Sequence, residues 1–258
     1  MAGHSKFKNI MHRKGAQDKK RAKIFSRLGR EISVSVKVGG SDPNNNIRLR
    51  SAISFAKALN MPKDNIQRAI KKGEGNDSDS NYEEVRYEGY GPSGVAVIVE
   101  AVTNNKNRTA AEIRSTFGKF GGNLGETGSV SHGFKRLGAI TIGKNLATEE
   151  DLFEFIVERE GSEDLEISEN EYIIYCYPNI LHSLNEQIIV RFGETLSAEL
   201  TWKNNINIEV QKDNAEKLFK LLNTLEENED VQNVSSNFEV SEEVLAALTH
   251  WERIFNGR

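Results

Sequence analysis

The residues best suited to chemistry lie at the start of the chain: Lys6, Lys8, His12, Arg13, Lys14, Lys19, Lys20, Arg21 and Lys23 recur every few residues, with Gly3 and Gly15 as flexible points. Cations at that density suit a segment that follows a nucleic-acid backbone and neutralises its phosphates. The first thirty residues hold ten Lys+Arg against one acid, Asp18, and only two aromatic rings, Phe7 and Phe25. Base-stacking platforms use more rings, so contact with phosphate and sugar is expected rather than reading of bases. Arg48, Arg50, Lys63, Arg68, Lys71 and Lys72 carry the basic character on toward residue 75 and complete the expected nucleic-acid-binding set. A solvated tail and a mitochondrial transit peptide are the competing readings of such a run. A secretory signal is excluded by the lack of a continuous apolar stretch.

Constellations for catalysis are thin. His4, His12, His132, His182 and His250 sit singly, without H-E-x-x-H or C-x-x-C spacing, so neither a metal nor another cofactor is expected. Ser131 and His132 are neighbours but lack a G-x-S-x-G elbow. Cys176, the single cysteine, lies among apolar and aromatic residues and reads as core rather than nucleophile. Having no partner for an internal disulfide, it suggests a reducing, cytoplasmic location. Gly89, Gly91 and Gly94 match G-x-G-x-x-G, yet the β-branched run VAVIVEAV follows where a helix should open, so a turn between strands 83–90 and 94–102 is expected. GGNLGETGSVSHG has no G-K-[ST]; it is either a phosphate-holding nest of backbone N–H groups or a tight turn into a strand near 129–134. Nothing in this inventory asks for an enzyme or a small-molecule substrate.

Charge is distributed unevenly. The 258 residues carry a net charge of -4, but residues 1–75 sum to +13 and residues 76–258 to -17. That segregation suggests a polyanion-binding head on a body that the same polyanion repels. No apolar run approaches the roughly 18 residues of a membrane span, so no membrane partner is expected. The acidic region 137–202 is a candidate surface for a protein partner.

Presenting the basic residues requires a scaffold, and the pattern supplies one. A helix from near Ala16 places Ile24, Leu28, Ile32 and Val36 on one face, although Ile32, Val34, Val36 and Val38 also alternate as a strand would. Gly39 and Gly40 stop it, and Asp42 and Pro43 open a second helix with Ile47, Ile53, Ala56 and Leu59 as its buried stripe. A third follows Met61, with Pro62 in its first turn, Ile66, Ala69 and Ile70 inward, and an end at 71–73. The polar stretch NDSDSNYEE, 76–84, reads as a linker. Thr109 and Glu112 form a capping box that predicts a helix from 109 to 120. From 139 to 202 the order is strand, helix, hairpin or strand pair, helix, strand, and a further strand, helix and strand follow. The predicted fold is α+β: an N-terminal three-helix domain (1–75), then a discontinuous ferredoxin-like domain (76–136 and 203–258) with a second such domain (137–202) inserted in it.

Four long segments carry a resemblance. AGHSKFKNIMHRKGAQDKKRAKIFSRLGREI, GGSDPNNNIRLRSAISFAKALNMPKDNIQRAIKKGEG, YEEVRYEGYGPSGVAVIVEAVTNNKNRTAAEIRSTFGKFGGNLGETGSVS and DVQNVSSNFEVSEE, in that order, closely resemble the YebC family. The likeness covers the whole chain. It implies a three-domain cytoplasmic protein whose basic opening belongs to the mature domain and whose residues 16–38 are helical. Bacterial members are described as DNA-binding transcriptional regulators, mitochondrial members as translational activators of cytochrome c oxidase subunit I, and a role at the ribosome on proline-rich stretches is also ascribed to the family. Phe7 stands where the family usually has Trp, His132-Gly133 replaces an apolar pair, and TWKNNINIEV lacks the Pro often found before that strand. The resemblance and the charge pattern together imply a non-enzymatic regulator of gene expression, with ribosomal RNA ahead of promoter DNA as its target.

Overall fold

Five successive residues of the first long helix, Ile32 to Val36, are buried, which neither a surface strand nor a one-sided helix would give. The computed structural model, which describes residues 2–3, 17–75, 82–168 and 170–245, shows why. Helix α1 (Gln17–Gly39) is packed by both α2 (Ile47–Ala58) and α3 (Lys63–Glu74). Ile32 and Val36 enter a core with Leu49, Ala52, Ala56, Met61, Ile66 and Ala69. The hydroxyls of buried Ser33 and Ser35 reach carbonyls one turn back, Gly29 at 2.9 Å and Glu31 at 2.7 Å, so their polarity is satisfied inside the helix. At the far end α3 meets α1 so closely that a Cβ on Gly73 would lie 2.5 Å from the Ser33 carbonyl oxygen.

Helix α2 begins later than its Asp-Pro signal predicts. Asn46 is the cap: its side chain accepts from Leu49 N at 3.0 Å and donates to the carbonyls of Ser35 and Gly40 at 2.7 and 2.8 Å. Residues 42–45 form the preceding turn, with the Asp42 carboxylate accepting from Asn44 N at 3.0 Å. Starting from Asn46, the helix buries Leu49, Ala52 and Ala56, whereas Ile47 and Leu59, expected inward, are each 46% exposed.

The middle unit contains β2 (Glu83–Tyr90), β3 (Ala96–Thr103), α4 (Lys106–Lys119) and β4 (Asn123–Leu124). After an excursion the chain returns with β9 (Ile208–Glu209), α7 (Lys212–Glu227), β10 (Val231–Ser236) and β11 (Phe238–Val240). The sheet order β10-β3-β2-β4 is antiparallel throughout, and α4 and α7 cover one face through Phe117, Leu218 and Leu222 against Val97 and Val99. The glycine signature is the expected turn between β2 and β3, and Gly94 takes φ +73°, a conformation that favours glycine. Helix α4 starts at Lys106 and is capped by Asn105, whose side chain accepts from Arg108 N at 3.1 Å. Thr109 is thus not a cap; it lies buried inside the helix.

The excursion comprises β5 (Phe134–Gly143), α5 (Glu149–Val157), β6 (Ser162–Ile167), β7 (Glu171–Cys176), α6 (Leu181–Phe192) and β8 (Ser197–Asn204). Its order β6-β7-β5-β8, antiparallel at every step, is the split β-α-β arrangement of ferredoxin-like folds. The middle sheet is likewise four-stranded and antiparallel with two helices on one face, but in chain order its strands run fourth-second-first-third, because β2 and β3 form a hairpin ahead of its first helix. The expected boundaries at 137 and 202 fall within β5 and β8. The face of the middle sheet opposite its helices meets the inserted unit where Ala96 and Ile98 pack on Val130, Phe134 and Trp202. A small third sheet joins β1 (Ala2–Gly3) to β11, in register Ala2 with Val240.

Candidate nucleic-acid interface

Helix α1 turns part of its basic face inward. Lys23 Nζ and Arg27 Nη2, one helical turn apart, both donate to the carbonyl oxygen of Glu226, Arg27 at 2.6 Å. Glu226 lies in the last turn of α7, where carbonyls lack intrahelical partners and the helix dipole favours cations. Burial, reinforced by the nearby Arg27 charge, lowers the Lys23 amine from 10.5 to about 8. A turn further on, Arg30 pairs with Asp230 at 3.4 Å. Asp230 also accepts from Thr109 Oγ1 and Arg108 Nη2, both at 2.7 Å. The bond from Thr109 explains why that residue is buried. Lys23, expected on nucleic acid, therefore fastens the helical unit to the middle one.

Helix α2 does the same with Arg48 and Arg50. Arg48 forms a fork on Glu31, at 2.6 and 2.9 Å, and reaches Glu84 at 2.5 Å. Burial works against that guanidinium charge, but the hydrogen bonds and charge of Glu31 and Glu84 hold its pKa above the ordinary value. Arg50 grips Glu186 of α6 at 2.8 Å, and beside it Ser51 Oγ meets His182 Nδ1 at 3.0 Å. Arg48 thus faces carboxylates of its own and of the middle unit, and Arg50 one of the inserted unit.

Helix α3 differs. Lys63, Arg68, Lys71 and Lys72 are exposed, and no carboxylate among the described residues forms an ion pair with any of them. Arg68, Lys71 and Lys72 share one face at spacings of three and four. Arg68 donates to Asp64 O at 3.3 Å and to Asn65 Oδ1, and Lys72 to the Tyr82 hydroxyl at 2.8 Å. Lys71 and Lys72 also sit in the last turn, where they complement the helix dipole. Arg21, exposed on α1, lies over the Phe25 ring at 5.5 Å. Lys6, Lys8, His12, Arg13 and Lys14 fall outside the described residues, as do the side chains of Lys19 and Lys20.

The glycine loop after α4 does contain an anion nest, and the protein's own carboxylate fills it. Glu88 Oε2 accepts from Val130 N and Ser131 N, each at 2.9 Å, while Arg86 Nε approaches Oε1 at 2.9 Å. Burial tends to raise the Glu88 carboxyl, but N–H donors from Val130, Gly128 and Ser131 hold it below the ordinary value. No strand occupies 129–133; β5 begins at Phe134. Cys176 is buried on β7, and desolvation raises its thiol to about 11. Among the described residues no cluster of three His, Cys, Asp or Glu could hold a metal, and no helix is long and apolar enough to cross a membrane.

Residues 5–76 match the family model described as the TACO1/YebC protein N-terminal domain, and residues 82–238 match that of the TACO1/YebC second and third domain. The chain belongs to the TACO1/YebC family. A crystal structure of a conserved hypothetical protein from Aquifex aeolicus is 45% identical, with a TM-score of 0.82 over 88% of this chain and 93% of that one. Within the TACO1/YebC frame, α1, α2 and α3 fall in the N-terminal match and both four-stranded layers in the second.

Proposed function

We propose that this TACO1/YebC protein is a non-enzymatic, nucleic-acid-binding regulator of gene expression that acts in the cytoplasm on structured RNA of the ribosome and eases elongation at proline-rich stretches. The observation that carries the reading is the division of labour among cations. Lys23, Arg27, Arg30, Arg48 and Arg50 are tied to the body, whereas Lys63, Arg68, Lys71 and Lys72 have no acidic partner among the described residues. A cationic helix with few rings suits phosphate and shape recognition. The net -17 of residues 76–258 keeps the remainder of the molecule off the same polyanion and leaves the acidic inserted unit to a protein partner.

A DNA-binding transcriptional regulator is the second reading. The name of the family model over 82–238, Transcrip_reg, favours it, and the electrostatics are the same. Crosslinking in cells followed by sequencing of the bound nucleic acid separates them. Ribosomal RNA fragments are expected, and discrete promoter fragments without ribosomal RNA would replace the first reading by the second.

A further inference from the structure

The three units leave a cavity of about 610 Å3 where they meet, a volume typical of small-molecule sites. Its wall is largely apolar, drawn from Leu28 of α1, Phe55 of α2, Val102 of β3, Leu181 of α6 and Leu200 of β8. Arg27 Nε and Gln232 Nε2, N–H donors of wall residues, are buried without an acceptor among the described residues. Arg27 gives its Nη2 proton to a neutral carbonyl, and burial lowers its pKa, so the guanidinium charge sits in a desolvated place. Glu226 Oε1, also without a hydrogen bond, does not border the cavity.

Buried donors left unmade are costly, and a buried cation more so. Several rim carboxylates are already engaged: Glu31 and Glu84 by Arg48, and Glu100 by Arg136 at 3.3 Å. Glu226 and Glu199 both favour the Arg27 charge, yet neither accepts from its Nε, so what the two donors lack is a hydrogen-bond acceptor. A carboxylate offers two oxygens, enough for a guanidinium N–H and an amide N–H together. The wall asks for an apolar body behind it. Glu199 also borders the space, and its charge disfavours an anionic head seated anywhere but on Arg27 and opposes a second negative group outright.

We propose that the cavity binds a small apolar monocarboxylate, its head held by Arg27 and Gln232 and its body against Leu28, Phe55 and Leu181. Since all three units supply wall residues, such a ligand bridges them. The site is separate from the α3 cations, so it stands or falls independently of nucleic-acid binding.

Fluorescence titration of the full chain with 8-anilinonaphthalene-1-sulfonate, an apolar monoanion that brightens in apolar surroundings, followed by competition, tests the site. Octanoate is expected to displace the probe, and octylammonium, of equal length and opposite charge, is expected not to. Arg27→Gln and Gln232→Leu should each weaken octanoate by about tenfold or more, as expected for loss of a buried hydrogen bond to a charged group. Gln232→Leu leaves the Arg27–Glu226 bond in place, so it answers even if Arg27→Gln folds poorly. Absence of probe binding, equal displacement by octylammonium, or unchanged octanoate affinity in a folded Gln232→Leu protein would each overturn the assignment.

Discussion

Arg30 of α1 and Asp230, just before β10, face each other at 3.4 Å across the joint between the helical and middle units, with side chains 12% and 5% exposed. Burial alone would raise the Asp230 carboxyl, but Thr109 and Arg108 hydrogen bonds and the Arg30 charge hold it below its ordinary value. Removing one member of a buried charged network leaves the others uncompensated, so Asp230→Ala should cost about 3 kcal/mol in denaturant unfolding. The sign with pH follows from the depressed value. Asp230 contributes fully above the ordinary carboxylate range and loses that contribution as pH falls through its folded value. Acid titration of stability should therefore fall less steeply in Asp230→Asn than in the parent.

Lys23 shows the same sign for a different reason, since burial disfavours its charged form. Its folded pKa, about 8, lies below the ordinary 10.5, so the unfolded chain binds the extra proton between those values and stability gains from rising pH in that window. Below about pH 8 the desolvation cost is present in full. Lys23→Met should lack this increment, and the gap between the two unfolding free energies should change from about pH 8 to about pH 10. A constant gap would show that the amine is not desolvated.

Glu88 is expected to matter for folding and not for ligands. Its carboxylate receives two backbone N–H groups and Arg86 at 2.9 Å each, so Glu88→Ala should lose about 2 to 3 kcal/mol. Glu88→Gln, which can keep one acceptor oxygen in the nest, should lose less. Because the nest is filled from within, phosphate added to the parent should leave the amide resonances of Val130 and Ser131 unmoved.

The layered architecture was legible in the sequence, since period-2 and period-3.6 patterns report which face of an element is covered. Where an element is covered on both sides, that report fails: Ile32–Val36 is helical, buried throughout, and alternates by coincidence with the placement of Ser33 and Ser35. Caps misled for a related reason. Asp42-Pro43 and Thr109 both fit local rules, yet Asn46 is fixed by Ser35 and Gly40, and Thr109 by Asp230, 121 positions away. The candidate site shows the same limit. Charge counting marks the basic head, but only the folded chain reveals that Lys23 meets Glu226, 203 positions on, and that Arg50 meets Glu186. The anion nest was visible as a glycine loop, while its occupant, Glu88, gave no local signal.

Arg50→Ala removes a pair between exposed groups, so it should change stability by less than about 1 kcal/mol. Its charge already faces Glu186, and removing it should leave the salt dependence of nucleic-acid binding close to that of the parent.

The slope of log affinity against log salt for a structured RNA decides whether α3 is the binding surface. With Lys63, Arg68, Lys71 and Lys72 replaced by Ala, the slope should flatten by up to about 0.7 to 0.9 for each phosphate that the variant no longer neutralises, while Arg50→Ala keeps the parent slope. An unchanged slope in the fourfold variant, or an equal change in Arg50→Ala, would contradict the assignment of these cations to the nucleic-acid surface.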